Sequence, residues 1–156
     1  MKSEKALFFL VLGIFALICS GVRPVAATLG GSVDSIETDR KILAAARGGV
    51  TAAGGYSVHE ILQDGTAVRE YVSPSGVVFG IAWNGLTHPD LTQLLGSYLP
   101  QYEEALQRTP RQPGRRSLSV KASDVVVEKW GHMRSLQGRA YSPGLIPPGV
   151  SVEDIK

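Results

Sequence analysis

Thiols are almost missing from this sequence. It has one cysteine in 156 residues, Cys19, and that residue lies in the apolar opening stretch. The opening carries Lys2 and Lys5, an apolar run over 6–18, and Pro24-Val25-Ala26-Ala27. A charged start, an apolar run of about 7–15 residues and a small-residue site describe a secretory signal peptide. The reading is therefore a leader over 1–27, cleaved between Ala27 and Thr28, with Val25 and Ala27 at the small-residue positions. The run is shorter than the roughly 20 apolar residues that span a bilayer, so no stable membrane anchor is expected after cleavage. Ile18 is too bulky for the position before a lipid-bearing cysteine, so Cys19 is not read as a lipid-attachment site. Once the leader is gone, no disulfide, thiol nucleophile or cysteine metal ligand remains.

Strong charge is lacking too. The net charge is +2 over the whole chain, and the leader holds Lys2, Lys5 and Arg23 against Glu4. The remainder is close to neutral, which gives no support for nucleic-acid binding. Its 129 residues over 28–156 suffice for one domain with a hydrophobic core.

Familiar catalytic spacings are absent as well. There is no H-E-x-x-H, since no second histidine stands four residues after His59. There is no G-x-S-x-G elbow. The glycine doublets at 30–31, 48–49 and 54–55 lack the lysine and context of a phosphate loop. No cofactor and no metal is implied.

What the sequence does have is a stretch from Tyr56 to Trp83 that reads as three antiparallel strands. Asp64-Gly65 between two β-rich runs signals a two-residue hairpin turn. That turn pairs Gln63 with Thr66, Glu60 with Arg69, His59 with Glu70, and Val58 with Tyr71. Ser73-Pro74-Ser75-Gly76 forms the second turn, with Gly76 in a left-handed position. Regular counting from there pairs Tyr71 with Phe79 and Arg69 with Ile81. One face then carries Tyr56, Val58, Leu62, Tyr71, Val77, Phe79, Ile81 and Trp83, interrupted only by the Glu60–Arg69 pair. It is the expected core face, to be covered by a leucine-lined helix. The other face carries His59, Ile61, Val68, Glu70, Val72 and Val78.

Around this stretch the expectations run in order. Residues 28–31 form a flexible opening. Ser32 caps a helix over 33–46, ended by Gly48-Gly49, and 50–55 form a loop. Thr87 or His88 caps a second helix with Pro89 in its first turn and Leu91, Leu94, Leu95 and Tyr98 on its apolar face. Residues 101–108 form a further helical piece; the proline- and arginine-rich 109–116 reads as a solvated connector, the alternative being a basic cluster that contacts anionic lipid or another acidic surface. Strands follow at Ser117–Lys121, 124–130 and 132–141, and a tail from 142 straps the surface. The fold class is α+β: an antiparallel sheet of two meanders, about six strands, with one N-terminal helix and one or two central helices packed on it.

Four segments carry a resemblance: HEI…REYVSPSGVVFGIAWNG, PDLTQLLGSY, GHMRSLQGRAYSPGLIPPGV, and LGG after the leader. Together they resemble a family of uncharacterised exported bacterial proteins, a domain of unknown function. The resemblance implies a bacterial source and a periplasmic or secreted location. It supplies no reaction or ligand.

Candidate chemistry is sparse. His59, Glu70 and His132 would make an acid–base or metal cluster if the closing strands lay beside the first meander. Zinc takes at least three such ligands, and ordinary strand pairing explains the same residues. Arg134, Arg139 and Tyr141 would make a patch for a carboxylate or phosphate. The plainer reading pairs the arginines with Glu128 or Asp124. Trp83 follows the apolar alternation into the core. The sequence therefore favours a non-catalytic binding or accessory protein of the bacterial cell envelope, with another envelope protein as its partner. A periplasmic hydrolase using His59, Glu70 or His132, and a small-ligand carrier, remain the alternatives.

Overall fold

The computed structural model describes residues 28–32, 46–63 and 65–156. They form an α+β domain on a seven-stranded antiparallel sheet, in the order β1-β2-β3-β4-β7-β6-β5. The strands are β1 (Ala46–Ala53), β2 (Tyr56–Gln63), β3 (Thr66–Val72), β4 (Val78–Gly85), β5 (Ser117–Lys121), β6 (Val126–His132) and β7 (Ser135–Tyr141). Two meanders, β1–β4 and β5–β7, join where β4 pairs with β7.

The first hairpin matches its turn chemistry. Gly65 has φ 76°, and the pairing runs Gln63–Thr66, Glu60–Arg69, His59–Glu70 and Val58–Tyr71. The second turn is also as expected: Gly76 has φ 81°, and the Ser73 N–H donates to the Val77 carbonyl at 2.9 Å. Val72 then faces Val78, but Tyr71 faces Gly80 rather than Phe79, and Arg69 faces Ala82 rather than Ile81. An extra residue has entered β4 as a bulge. The Phe79 carbonyl that the bulge takes out of regular pairing accepts the Ser142 N–H at 3.1 Å.

One extra residue reverses the faces beyond it. Ile81 and Trp83 turn to the side of Ile61, Val68, Val72 and Val78. Phe79 stays with Tyr56, Val58 and Tyr71 on the other. The expected single core face is thus corrected to two covered faces.

A helical run covers the first. Helix α1 (Leu91–Leu95) and helix α2 (Leu99–Arg108) are separated by a single tight turn at Gly96–Tyr98. The N-cap is Asp90, whose carboxylate accepts the Thr92 N–H at 2.9 Å, so neither Thr87 nor His88 fills that role. Aspartate is among the strongest capping residues, because its oxygen satisfies an otherwise unbonded helix N–H. Pro100 sits in the first turn of α2, where its missing N–H costs nothing. Leu91, Leu95 and Tyr102 are buried against the sheet, with Leu94 and Tyr98 packed beside them.

The opening stretch is built in rather than flexible. Leu29 is buried, its N–H donates to the Leu94 carbonyl at 2.9 Å, and the Gly30 N–H donates to the Val78 carbonyl at 2.8 Å. The leader over 1–27 and all of the helix expected over 33–46 except Ala46 fall outside the described residues. Ala46 opens β1, so strand replaces helix end and loop across 46–53; its partner is the full length of β2, with a register shift between Arg47 and Val50.

The second face is covered by residues 142–156, two short turns (Pro143–Leu145 and Val152–Asp154) and no regular helix. This segment is more than a surface strap. Ile155 is fully buried among Tyr71, Phe79, Val126 and Tyr141. It fits because Gly80 has no side chain: a Cβ there would stand 2.8 Å from Ile155 Cδ1.

Candidate functional site

Three of the sequence candidates do not converge. His59 lies on β2 and is cross-strand from Glu70, with its Nε2 3.3 Å from Ser57 Oγ. Glu70 is fully buried on the helix-covered face of β3. His132 ends β6, exposed, its Nδ1 3.2 Å from the Met133 carbonyl. Strands β2 and β6 stand four strand steps apart, roughly 19 Å at the usual spacing. A shared metal or acid–base role for His59 and His132 has no geometry here. Among the described residues, no three His, Cys, Asp or Glu side chains are grouped to hold a metal ion.

The arginine patch separates too. Arg134 sits in the two-residue β6–β7 turn, exposed, at φ 68°. Arg139 is spent on the protein itself. Its Nε donates to Glu128 at 2.7 Å, its guanidinium also bonds the Val152 and Ile155 carbonyls, and it lies 3.4 Å from Glu153. Its flat group stacks near Trp130 and Tyr141, at 6.0 and 5.9 Å from the ring centres. Pairing with Glu128 was the plainer reading, and it holds. Burial, then the negative charge of Glu128, pushes the Tyr141 hydroxyl above its usual pKa. These residues fasten the 142–156 segment and leave no donor set aimed at a ligand.

A different cluster does face open space. A cleft of about 440 Å³ lies where the 109–116 connector crosses the ends of β5 and β6. His88, Arg111, Arg115, Arg116 and Lys129 line it, and none of its lining residues is acidic. The connector is solvent-exposed over 110–116, as expected, and contains a turn. Gln112-Pro113-Gly114-Arg115 makes a turn, with Gly114 at φ 73° and the Arg115 N–H donating to the Gln112 carbonyl at 3.4 Å. Proline followed by glycine suits such a turn because one presets φ and the other supplies the positive φ. The turn presents Arg115 and Arg116 together at the mouth of β5.

A row across the sheet leads to the cleft, which its last two members, Lys129 and Leu118, line. Trp83, Gly138, Lys129 and Leu118 are successive cross-strand neighbours on β4, β7, β6 and β5. Gly138 is required, because a Cβ there would collide with the Trp83 ring. The indole lies over that gap, and its Nε1–H donates to His88 Nδ1 at 2.9 Å. An indole N–H can only donate, so neutral His88 carries its proton on Nε2 and offers the cleft a donor. Burial first, then the charge of Lys129, lowers the His88 pKa.

Lys129 is the unusual member. Its side chain points to the helix-covered face, with the ammonium 5.7 Å from the centre of the Tyr102 ring. Burial lowers its pKa, and among the described residues no carboxylate lies within ion-pair distance of it. A half-buried ammonium without a counter-charge is unfavourable, and an anion beside it removes that penalty. Five positively charged or donor groups with no acid among them suit phosphate, sulfate or carboxylate, to which arginine bonds through two parallel N–H groups.

The chain matches the model for a protein of unknown function, DUF2844, over residues 25–155. It belongs to that family. No curated protein matches this DUF2844 chain, and no solved structure does either.

Sequence reading missed two members of the cleft. In the sequence His88 reads as a helix cap, and Lys129 carries no role. A signal for Lys129 existed: Glu128 pairs outward, so alternation along β6 places Lys129 on the side of Val127, which is core. Among the described residues, the exposed large apolar side chains Val50, Leu62, Leu86, Leu106 and Met133 fall on five separate elements or loops.

Proposed function

We propose that this chain is an exported, non-catalytic protein of the bacterial cell envelope that binds an anionic group of a partner in the basic cleft. The observation carrying this reading is the half-buried Lys129, with no carboxylate among the described residues within ion-pair distance, set among His88, Arg111, Arg115 and Arg116. The charge pattern supports binding over catalysis, since the cleft supplies donors and positive charge but no paired base and nucleophile. Export is supported by the leader pattern over 1–27. Leu29, two residues past the expected cleavage point, is a core residue. Among the described residues no helix is long and apolar enough to cross a membrane.

Two experiments test the reading. Thermal melting of wild type and an Arg115→Ala/Arg116→Ala variant is compared in phosphate and in chloride at equal ionic strength. Phosphate strengthens most folds by exclusion from their surface, so the difference between the two proteins is the readout. The wild type gains a larger, saturable rise in Tm; equal rises in both would refute the site. Fractionation with N-terminal sequencing addresses export: the accumulated protein begins at Thr28, and a cytoplasmic chain retaining residues 1–27 would contradict it.

A further inference from the structure

We infer that strand β5 accepts an extended acidic segment of a protein partner as an eighth strand, with that segment's carboxylates entering the basic cleft. This rests on the anion-binding reading above and names the partner.

Among the described residues, strand β5 ends the sheet and is hydrogen-bonded to β6 alone. Its five residues pair with β6 in unbroken register and contain no proline. Strand β1, the opposite edge, is broken by its register shift and is the poorer template. An added strand places alternate side chains on opposite faces, so an edge reads sequence only if both faces offer something. Strand β5 meets that condition. The basic cleft abuts Ser117 and Leu118 on the helix-covered side. A second cavity of about 490 Å³ abuts Ser117, Leu118 and Ser119; its wall carries Trp130, Ile155 and Arg139 together with Glu128 and Glu153, which would repel a second carboxylate. A partner with glutamate on one face and an apolar residue on the other matches the two.

Charge narrows the occupant further. Arg115 and Arg116 precede β5 and Lys121 closes it. A second copy of β5 would bring these charges together, so self-pairing is disfavoured and an acidic strand favoured.

The test uses the purified protein with an eight-residue peptide alternating glutamate and valine. Controls are the lysine–valine peptide, the glutamate–valine peptide with alternate backbone nitrogens methylated, and inorganic phosphate. The glutamate peptide binds at least tenfold more tightly than either peptide control and slows amide exchange within Ser117–Lys121. Arg115→Glu/Arg116→Glu, on exposed side chains, weakens it at least tenfold. If phosphate binds the cleft but the peptide leaves β5 exchange unchanged, strand addition is overturned and the anion site stands. If the methylated peptide binds as well as its parent, backbone pairing is likewise overturned. If neither phosphate nor peptide binds, both readings fall.

Discussion

The two faces of the sheet are closed by different means. One is a bed of branched aliphatics and Trp83 under a helical run, whose leucines recur at helical spacing. The other is an aromatic group of Tyr56, Tyr71 and Phe79, rings about 6 Å apart and mostly edge-on. Its cover has no helical period. It is pinned by named bonds: Arg139 to the Val152 and Ile155 carbonyls, and Arg69 and the Tyr71 hydroxyl to the Lys156 backbone oxygen at 3.0 and 2.6 Å. The helix-covered face depends on area and shape. The strapped face depends on a few polar attachments around one anchor, Ile155. The expected binding groups lie on the first side, where regular packing holds His88 and Lys129 in place.

Substitutions on the two faces separate these modes. Trp83→Ala removes the largest side chain of the helix-covered face and frees His88, and is expected to cost about 3–5 kcal/mol. Denaturant unfolding should show this as one cooperative loss of stability, with cleft binding lost as well. Arg139→Ala removes charged hydrogen bonds from the strap, at about 1.5–3 kcal/mol. Hydrogen exchange should then rise first within 142–156, ahead of α1 and α2. A uniform rise in both variants would mean that the two covers are one cooperative unit.

The pH response belongs to the helix-covered side. The folded protein lowers the His88 pKa, so the fold favours neutral histidine. Its contribution is complete above the ordinary value of about 6.5 and is lost as pH falls through that value toward the lower folded one. Melting between pH 7.5 and 5.5 should fall more steeply in wild type than in His88→Asn, whose amide oxygen can accept the Trp83 N–H. Parallel curves would place the titration elsewhere. The smallest effect is at the β6–β7 turn. Arg134 holds a left-handed φ that glycine adopts freely, so Arg134→Gly should gain up to about 1 kcal/mol, read as a higher denaturant midpoint. A loss would show that the arginine has a bond worth more than its strain.

Much of this was legible from residues. Asp64-Gly65 and Ser73-Pro74-Ser75-Gly76 specified their turns, and the leucine spacing located the helix. The bulge at Phe79 was not, because counting by twos assumes an unbroken ladder. That single residue moved Ile81 and Trp83 across the sheet, and with them the side that the helix covers. Strand β1 was illegible because Ala46–Ala53 is small and glycine-bearing, and owes its extended form to pairing with β2. The arginines of 109–116 were visible as a cluster, but the cleft was not. His88 and Lys129 come from a loop and a strand far apart in sequence, joined only through the gap that Gly138 leaves for Trp83.

The most direct test of the central claim is a phosphate titration followed on the Trp83 indole N–H resonance, in wild type and Lys129→Met. The indole proton reports on His88, which lines the cleft, and the substitution removes an ammonium that burial disfavours. The expected result is a saturable shift in wild type, at least tenfold weaker in the variant, while the variant melts no lower. No saturable shift, or one of equal affinity in both proteins, would contradict an anion site built on Lys129.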